Sequence, residues 1–209
     1  MITPDGGAMR TSRGLAALLV ASAVVLAGCG PSGPTVEQWT DSMCAAVLPF
    51  VRTAVDAPAE TPDPAQRLRA LSDYLTRTTQ AADGALGDLD RLGPAPVDDG
   101  EALATRLQGG LGEIRSAFSG ARSRVDAIDP ADPAAVQRDL PAALEPLARL
   151  AGTTGPLDEV TGNPAIASAF RASTACTDLT RTAEQARPTP PPGGPADAPN
   201  GSTGEGGGS

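Results

Sequence analysis

The sequence predicts an all-α fold: an up-down bundle of four to five helices stapled by one disulfide, between a flexible N-terminal tether and a disordered C-terminal tail. Three observations carry this reading. Apolar residues recur at roughly 3.6-residue spacing in five successive segments. No segment shows the alternating, β-branched pattern of a strand. Two cysteines, Cys44 and Cys176, lie near opposite ends of the helical stretch, and the connections are short enough to make its helices antiparallel neighbours.

The first helix is expected over 36–57. Thr35 can cap it and Gln38, three residues on, can complete a capping box. Val36, Trp39, Met43, Val47, Phe50 or Val51, and Val55 share one face, while Pro49 removes a ladder N–H and should kink or split the helix. The second, 64–92, starts under an Asp63 cap with Pro64 in the first turn, where a missing N–H costs nothing. Its stripe is Leu68, Leu71, Leu75, Thr78, Ala82, Leu86 and Leu89, and Gly93-Pro94 stops it.

The third helix is expected over 98–128, with Leu103, Leu107, Leu111, Ile114, Phe118, Val125 and Ile128 on one side and Asp129-Pro130 at its end. The fourth begins at Pro133 under Asp132 and reaches about Ala151, with Pro141 and Pro146 making it irregular. Residues 152–162 form a connector with one turn around Leu157–Val160. The fifth runs unbroken from the cap pair Asn163-Pro164 to about Ala186, carrying Ile166, Phe170, Cys176 and Leu179. In this topology the first and fifth helices point the same way, and Cys44 and Cys176 fall at similar levels.

Ahead of the bundle, Met9–Arg13 is a short positive segment and Gly14–Ala27 an uncharged apolar run. That run falls short of the about 20 residues of a membrane span and reads as the apolar core of a signal peptide. Leu26-Ala27-Gly28-Cys29 closes it, with small residues before a thiol. In this the chain resembles bacterial lipoproteins. The resemblance implies that residues 1–28 are a lipoprotein signal peptide and that Cys29 carries diacylglycerol through a thioether. It further implies an acyl chain such as palmitate on the new amino group. Two or three such chains anchor stably where one does not. The alternative is an ordinary secretory peptide with a cysteine at its cleavage site. The remaining organisation is a tether over 29–34, the bundle over 35–187, and a Pro/Gly-rich tail over 188–209 that cannot bury enough apolar area to offset its ordering entropy.

With Cys29 taken by lipid, Cys44 and Cys176 remain as a pair in a compartment where disulfides persist. Two free buried thiols are the alternative. Trp39-x4-Cys44, Leu48-Pro49-Phe50 and Asn163-Pro164…Phe170…Cys176 resemble small secreted proteins and lipoproteins of actinobacteria, mostly of uncharacterised function. A vocabulary rich in Ala, Gly, Pro and Arg, without Lys, fits the same high-GC source. The resemblance implies an exported, disulfide-linked helical product and no particular activity.

The chain has a formal net charge of −9, and residues 29–209 carry 14 Arg against 24 Asp and Glu, net −10. That acidity argues against nucleic acid as a partner and against electrostatic docking on anionic lipid. The absence of His removes the commonest general base and zinc ligand, and the absence of Lys removes Schiff-base chemistry. Asp63, Asp132 and the Asp98-Asp99-Gly100-Glu101 cluster are read as helix starts, where the dipole favours negative charge. Asp83, Asp88 and Asp90 are read as a solvated face. No catalytic, metal or cofactor-binding residue is assigned, and no cofactor is expected.

Gly84 and Gly87 in the second helix face the level of Gly109, Gly110 and Gly112 in the third, each costing about 1 kcal/mol relative to Ala. They have two readings: close backbone packing, or a shallow pocket or breathing point. Trp39 is read as core or as flanking the disulfide, and secondarily as a ligand contact. The functional expectation is a non-enzymatic binding or interaction module, lipid-anchored through Cys29 on the extracytoplasmic face of the cell membrane. The alternative is a structural or accessory protein of a cell-envelope complex, partnering a transporter or a cell-wall enzyme. An apolar pocket would favour the first, an exposed apolar face the second.

Overall fold

The computed structural model describes residues 33–150 and 155–185. The expected signal peptide over 1–28, Cys29, residues 151–154 and the expected tail over 188–209 lie outside the described residues. Those described form seven helices and no strand: α1 Val36–Val55, α2 Pro64–Leu92, α3 Gly100–Asp126, α4 Pro133–Leu150, α5 Pro156–Thr161, α6 Pro164–Ala172 and α7 Thr174–Gln185. None is long and apolar enough to cross a membrane.

The helix starts follow local chemistry. Thr35 Oγ1 accepts from the Gln38 amide at 3.3 Å while Gln38 Oε1 accepts from the Thr35 amide at 3.0 Å, which completes the capping box. The Asp63 carboxylate accepts from the Gln66 amide at 3.0 Å, and Asp132 accepts from the amides of Ala134 and Ala135. At α3 the expectation fails. Asp99 occupies the cap position with φ −99° and ψ 25° and makes no side-chain capping bond. The turn there is closed by backbone instead: Gly100 donates to Val97 O at 2.9 Å and Val97 to Ala95 O at 2.8 Å. Only glycine fits at 100, because a Cβ would lie 1.7 Å from the Ala95 carbonyl oxygen.

Aromatic donors fasten α2 antiparallel to α1. Helix ends leave carbonyls without helical partners. Trp39 Nε1 donates to Gly93 O, just past the end of α2, at 3.0 Å. Tyr74 Oη donates to Ala54 O, in the last turn of α1, at 2.6 Å. Next, α3 runs antiparallel to α2, with Arg115 on Asp83 at 2.8 Å and Ser72 Oγ on Asp126 at 2.5 Å. Between these helices, Phe118 meets the edges of Phe50 and Tyr74 with ring centroids 6.3 and 6.2 Å apart. Trp39, Met43, Leu75, Leu107, Val125, Ile166 and Leu179 are each no more than 2% exposed and fill the core.

The prolines do not divide their helices. Pro49 lies within α1, and Pro141 and Pro146 lie within α4. A proline at 146 cannot donate to the carbonyl of Ala142 one turn back. Arg124 of α3 donates to that carbonyl at 3.3 Å, so the missing bond becomes a contact between helices.

The expected fifth helix is broken at Ser173, which is extended with φ −79° and ψ 132°. Its amide donates to Ala169 O at 3.0 Å and its carbonyl accepts from Thr177, so one residue ends α6 and begins α7. Both helices pack on α1. Asp41 meets Ser173 and Cys44 is bonded to Cys176, three residues further along each chain, so α7 runs parallel to α1. The connector contains α5, which packs on α3.

Candidate functional site

The bundle encloses a cleft of about 270 Å³ where α1, α3 and α5 meet. Val47, Phe50 and Val51 line it from α1, and Leu107, Leu111 and Ile114 from α3. The helical period explains both sets, since residues three and four apart share a face. Gly155, Leu157 and Asp158 close the third side. Among the described residues Asp158 is the one charged group in the wall; its Oδ2 accepts from the Gly155 amide at 3.2 Å and so stabilises the first turn of α5. The walls therefore offer dispersion and apolar burial, with little hydrogen bonding to a guest.

Other depressions have a different character. One between α2 and α3, about 370 Å³, carries Arg69, Asp73 and Asp126, and one between α1 and α6, about 450 Å³, carries Glu37 and Asp41. Both open widely to water. The apolar cleft is the better-formed binding feature because water can be displaced from it at little polar cost.

Of the residues singled out in the sequence, Cys44 and Cys176 form a disulfide with Cα atoms 5.0 Å apart, both fully buried. Trp39 is core, 1% exposed, as one of its readings from the sequence has it, and its N–H donates to Gly93 O. The glycines correct the expectation of close packing. A Cβ at Gly84, Gly87, Gly109 or Gly112 would meet nothing within 4 Å, so no backbone approaches there. Nor do they line the apolar cleft. Asp83 pairs with Arg115 and Asp88 with Arg91, on an exposed face.

The cleft itself escapes sequence reading. Each of its α1 and α3 residues appears there as core, and the short turn at Leu157–Val160 is the sole trace of the element that walls it. Whether stripes on two helices meet fully or leave a gap depends on a third element, which periodicity does not place. Comparison with protein-family models, with curated proteins and with solved structures found no match.

Proposed function

We propose that this protein is a non-enzymatic binding module, held by lipid on Cys29 at the extracytoplasmic face of the cell membrane, that takes an apolar group into the cleft between α1, α3 and α5. The cleft carries the reading: about 270 Å³ walled almost wholly by aliphatic side chains and Phe50. An apolar cavity of about 150 Å³ suffices for benzene, so this one suits a guest somewhat larger than one ring. A short alkyl chain or a leucine-like side chain has the right size and chemistry. A chain without His or Lys, whose non-lipid cysteines are bonded to each other, also supplies few groups for turnover.

The test is a titration of the methyl-labelled mature chain with decanoate and, separately, with N-acetyl-leucine amide, followed by methyl NMR. Shifts should concentrate on Val47, Val51, Leu107, Leu111, Ile114 and Leu157. They should vanish in Val51→Trp, whose indole fills the cleft from its half-exposed rim. Shifts scattered over the surface, or none with either probe, would reject the reading.

A further inference from the structure

The charges of the bundle are divided unevenly between its ends. The end containing Thr35 is formed by the first turn of α1, the last two turns of α2, the first turn of α3 and the loop 93–99. It carries Glu37, Asp88, Asp90, Asp98, Asp99 and Glu101 against two cations, Arg91, already paired with Asp88, and Arg106, which the α2–α3 register places level with the end of α2. All of these groups are exposed. The opposite ends of the same three helices, with the loops 56–63 and 127–132, carry six arginines (Arg52, Arg67, Arg69, Arg77, Arg122 and Arg124) against Asp56, Glu60, Asp63, Asp73, Asp126, Asp129 and Asp132. One end is strongly negative and the other close to neutral.

Thr35 lies six residues beyond Cys29. At about 3.5 Å per extended residue, the acidic end cannot stray more than about 20 Å from whatever holds Cys29. At physiological salt the field of a charged bilayer is screened over about 8–10 Å, so it acts on the acidic end wherever the tether lets that end come so close. The cleft residues Val47–Val51 sit 12 to 16 residues further along α1, roughly 18–24 Å beyond Thr35 at the helical rise.

From this asymmetry we infer that the Thr35 end of the bundle is an electrostatic spacer: anionic lipid repels it at close approach, which keeps the acidic end off the bilayer surface and the apolar cleft further out. The inference rests on Cys29 as the point of attachment. It deepens the proposed function by naming the source of the guest, which comes from the aqueous side or from an envelope partner, and not from the membrane beneath. Overall acidity alone would repel the whole domain; the uneven distribution adds that the anchored end is the one held off.

Trp39, the sole tryptophan, sits at that end and reports on it directly. The mature chain is coupled through Cys29 to a maleimide lipid, which fixes the attachment whether or not the cell lipidates it. Energy transfer from Trp39 to a dansyl headgroup is then measured in neutral phosphatidylcholine vesicles and in vesicles containing phosphatidylglycerol. Transfer should fall in the anionic vesicles at about 0.01 M salt, where screening extends about 30 Å, and return to the neutral value at about 1 M. Asp98→Asn/Asp99→Asn/Glu101→Gln should lose most of that fall, whereas Asp56→Asn/Glu60→Gln/Asp73→Asn, with the same change in net charge at the other end, should keep it. Equal or greater transfer on anionic vesicles, or equal effects of the two triple variants, would overturn the inference. Intact mass of Cys29 in the native protein decides the attachment separately.

Discussion

Ser173 Oγ donates a 2.6 Å hydrogen bond to Asp41 Oδ1 and accepts one of 3.1 Å from the Cys176 amide. One hydroxyl thus joins α1 to the break between α6 and α7, a turn away from the disulfide. Ser173 is 7% exposed, so neither bond is readily replaced by water.

Ser173→Ala should therefore destabilise the domain by about 1–2 kcal/mol, the range for losing a helix cap together with a largely buried hydrogen bond. Asp41→Asn should cost less, since its amide can still accept from the hydroxyl. Urea unfolding at equilibrium measures both; a larger loss for Asp41→Asn would contradict the cap role.

The helical glycines should divide by position. Gly84→Ala, Gly87→Ala, Gly109→Ala and Gly112→Ala place a methyl in open space, and each should raise stability by about 0.5–1 kcal/mol. Gly93→Ala should lower it, because residue 93 holds φ +74° at the end of α2. Gly100→Ala should lower it more, since the methyl has no room beside Ala95. Thermal melts of the six variants give the signs directly.

Breaking the disulfide releases a loop of sequence separation 132. The chain-entropy model assigns about 5 kcal/mol to a loop of that length, as an upper figure. Cys44→Ala/Cys176→Ala should approach that loss in denaturant titration. Labelling of the denatured, unreduced protein should find neither Cys44 nor Cys176 free.

Burial lifts the Tyr74 phenol above its ordinary value, and Asp56 adds to the shift while a bond with Thr78 opposes it. A raised folded-state pKa gives stability that is fully present below the unfolded value of about 10 and is lost as pH climbs through the folded one. Tyr74 is the sole tyrosine, so absorbance at the phenolate band follows it alone. Its midpoint should lie above that of the urea-unfolded chain. Tyr74→Phe should remove this part of the alkaline instability. It should also cost about 1 kcal/mol at neutral pH, through the lost bond to Ala54.

The lipid proposed on Cys29, from the segment Leu26-Ala27-Gly28-Cys29, is open to direct test. Cys29→Ala should block processing and shift the protein from the detergent phase to the aqueous phase. Intact mass of native protein showing an unmodified Cys29 would exclude the anchor.

The sequence by itself determined the helices and most of their ends, because spacing and caps act within one turn of chain. Thr35 with Gln38, Asp63 with Pro64, and Asn163 with Pro164 each satisfy amides three or fewer residues away, and those bonds form in the fold as the residues imply. With Cys29 set aside on the lipoprotein resemblance, Cys44 and Cys176 remain as a pair, and these two are bridged. Tertiary structure decided what depends on residues distant in the chain. Ser173 breaks a stretch that reads as continuous helix: its hydroxyl caps α7 at the Cys176 amide and donates to Asp41, 132 positions earlier. Pro146 leaves α4 whole while Arg124 occupies the carbonyl it frees. Asp99 goes without a capping bond where the backbone turn from Ala95 to Gly100 closes the start of α3. The cleft is decided in the same way: its stripes are local facts, but the gap between them exists only once α1, α3 and α5 have taken their places.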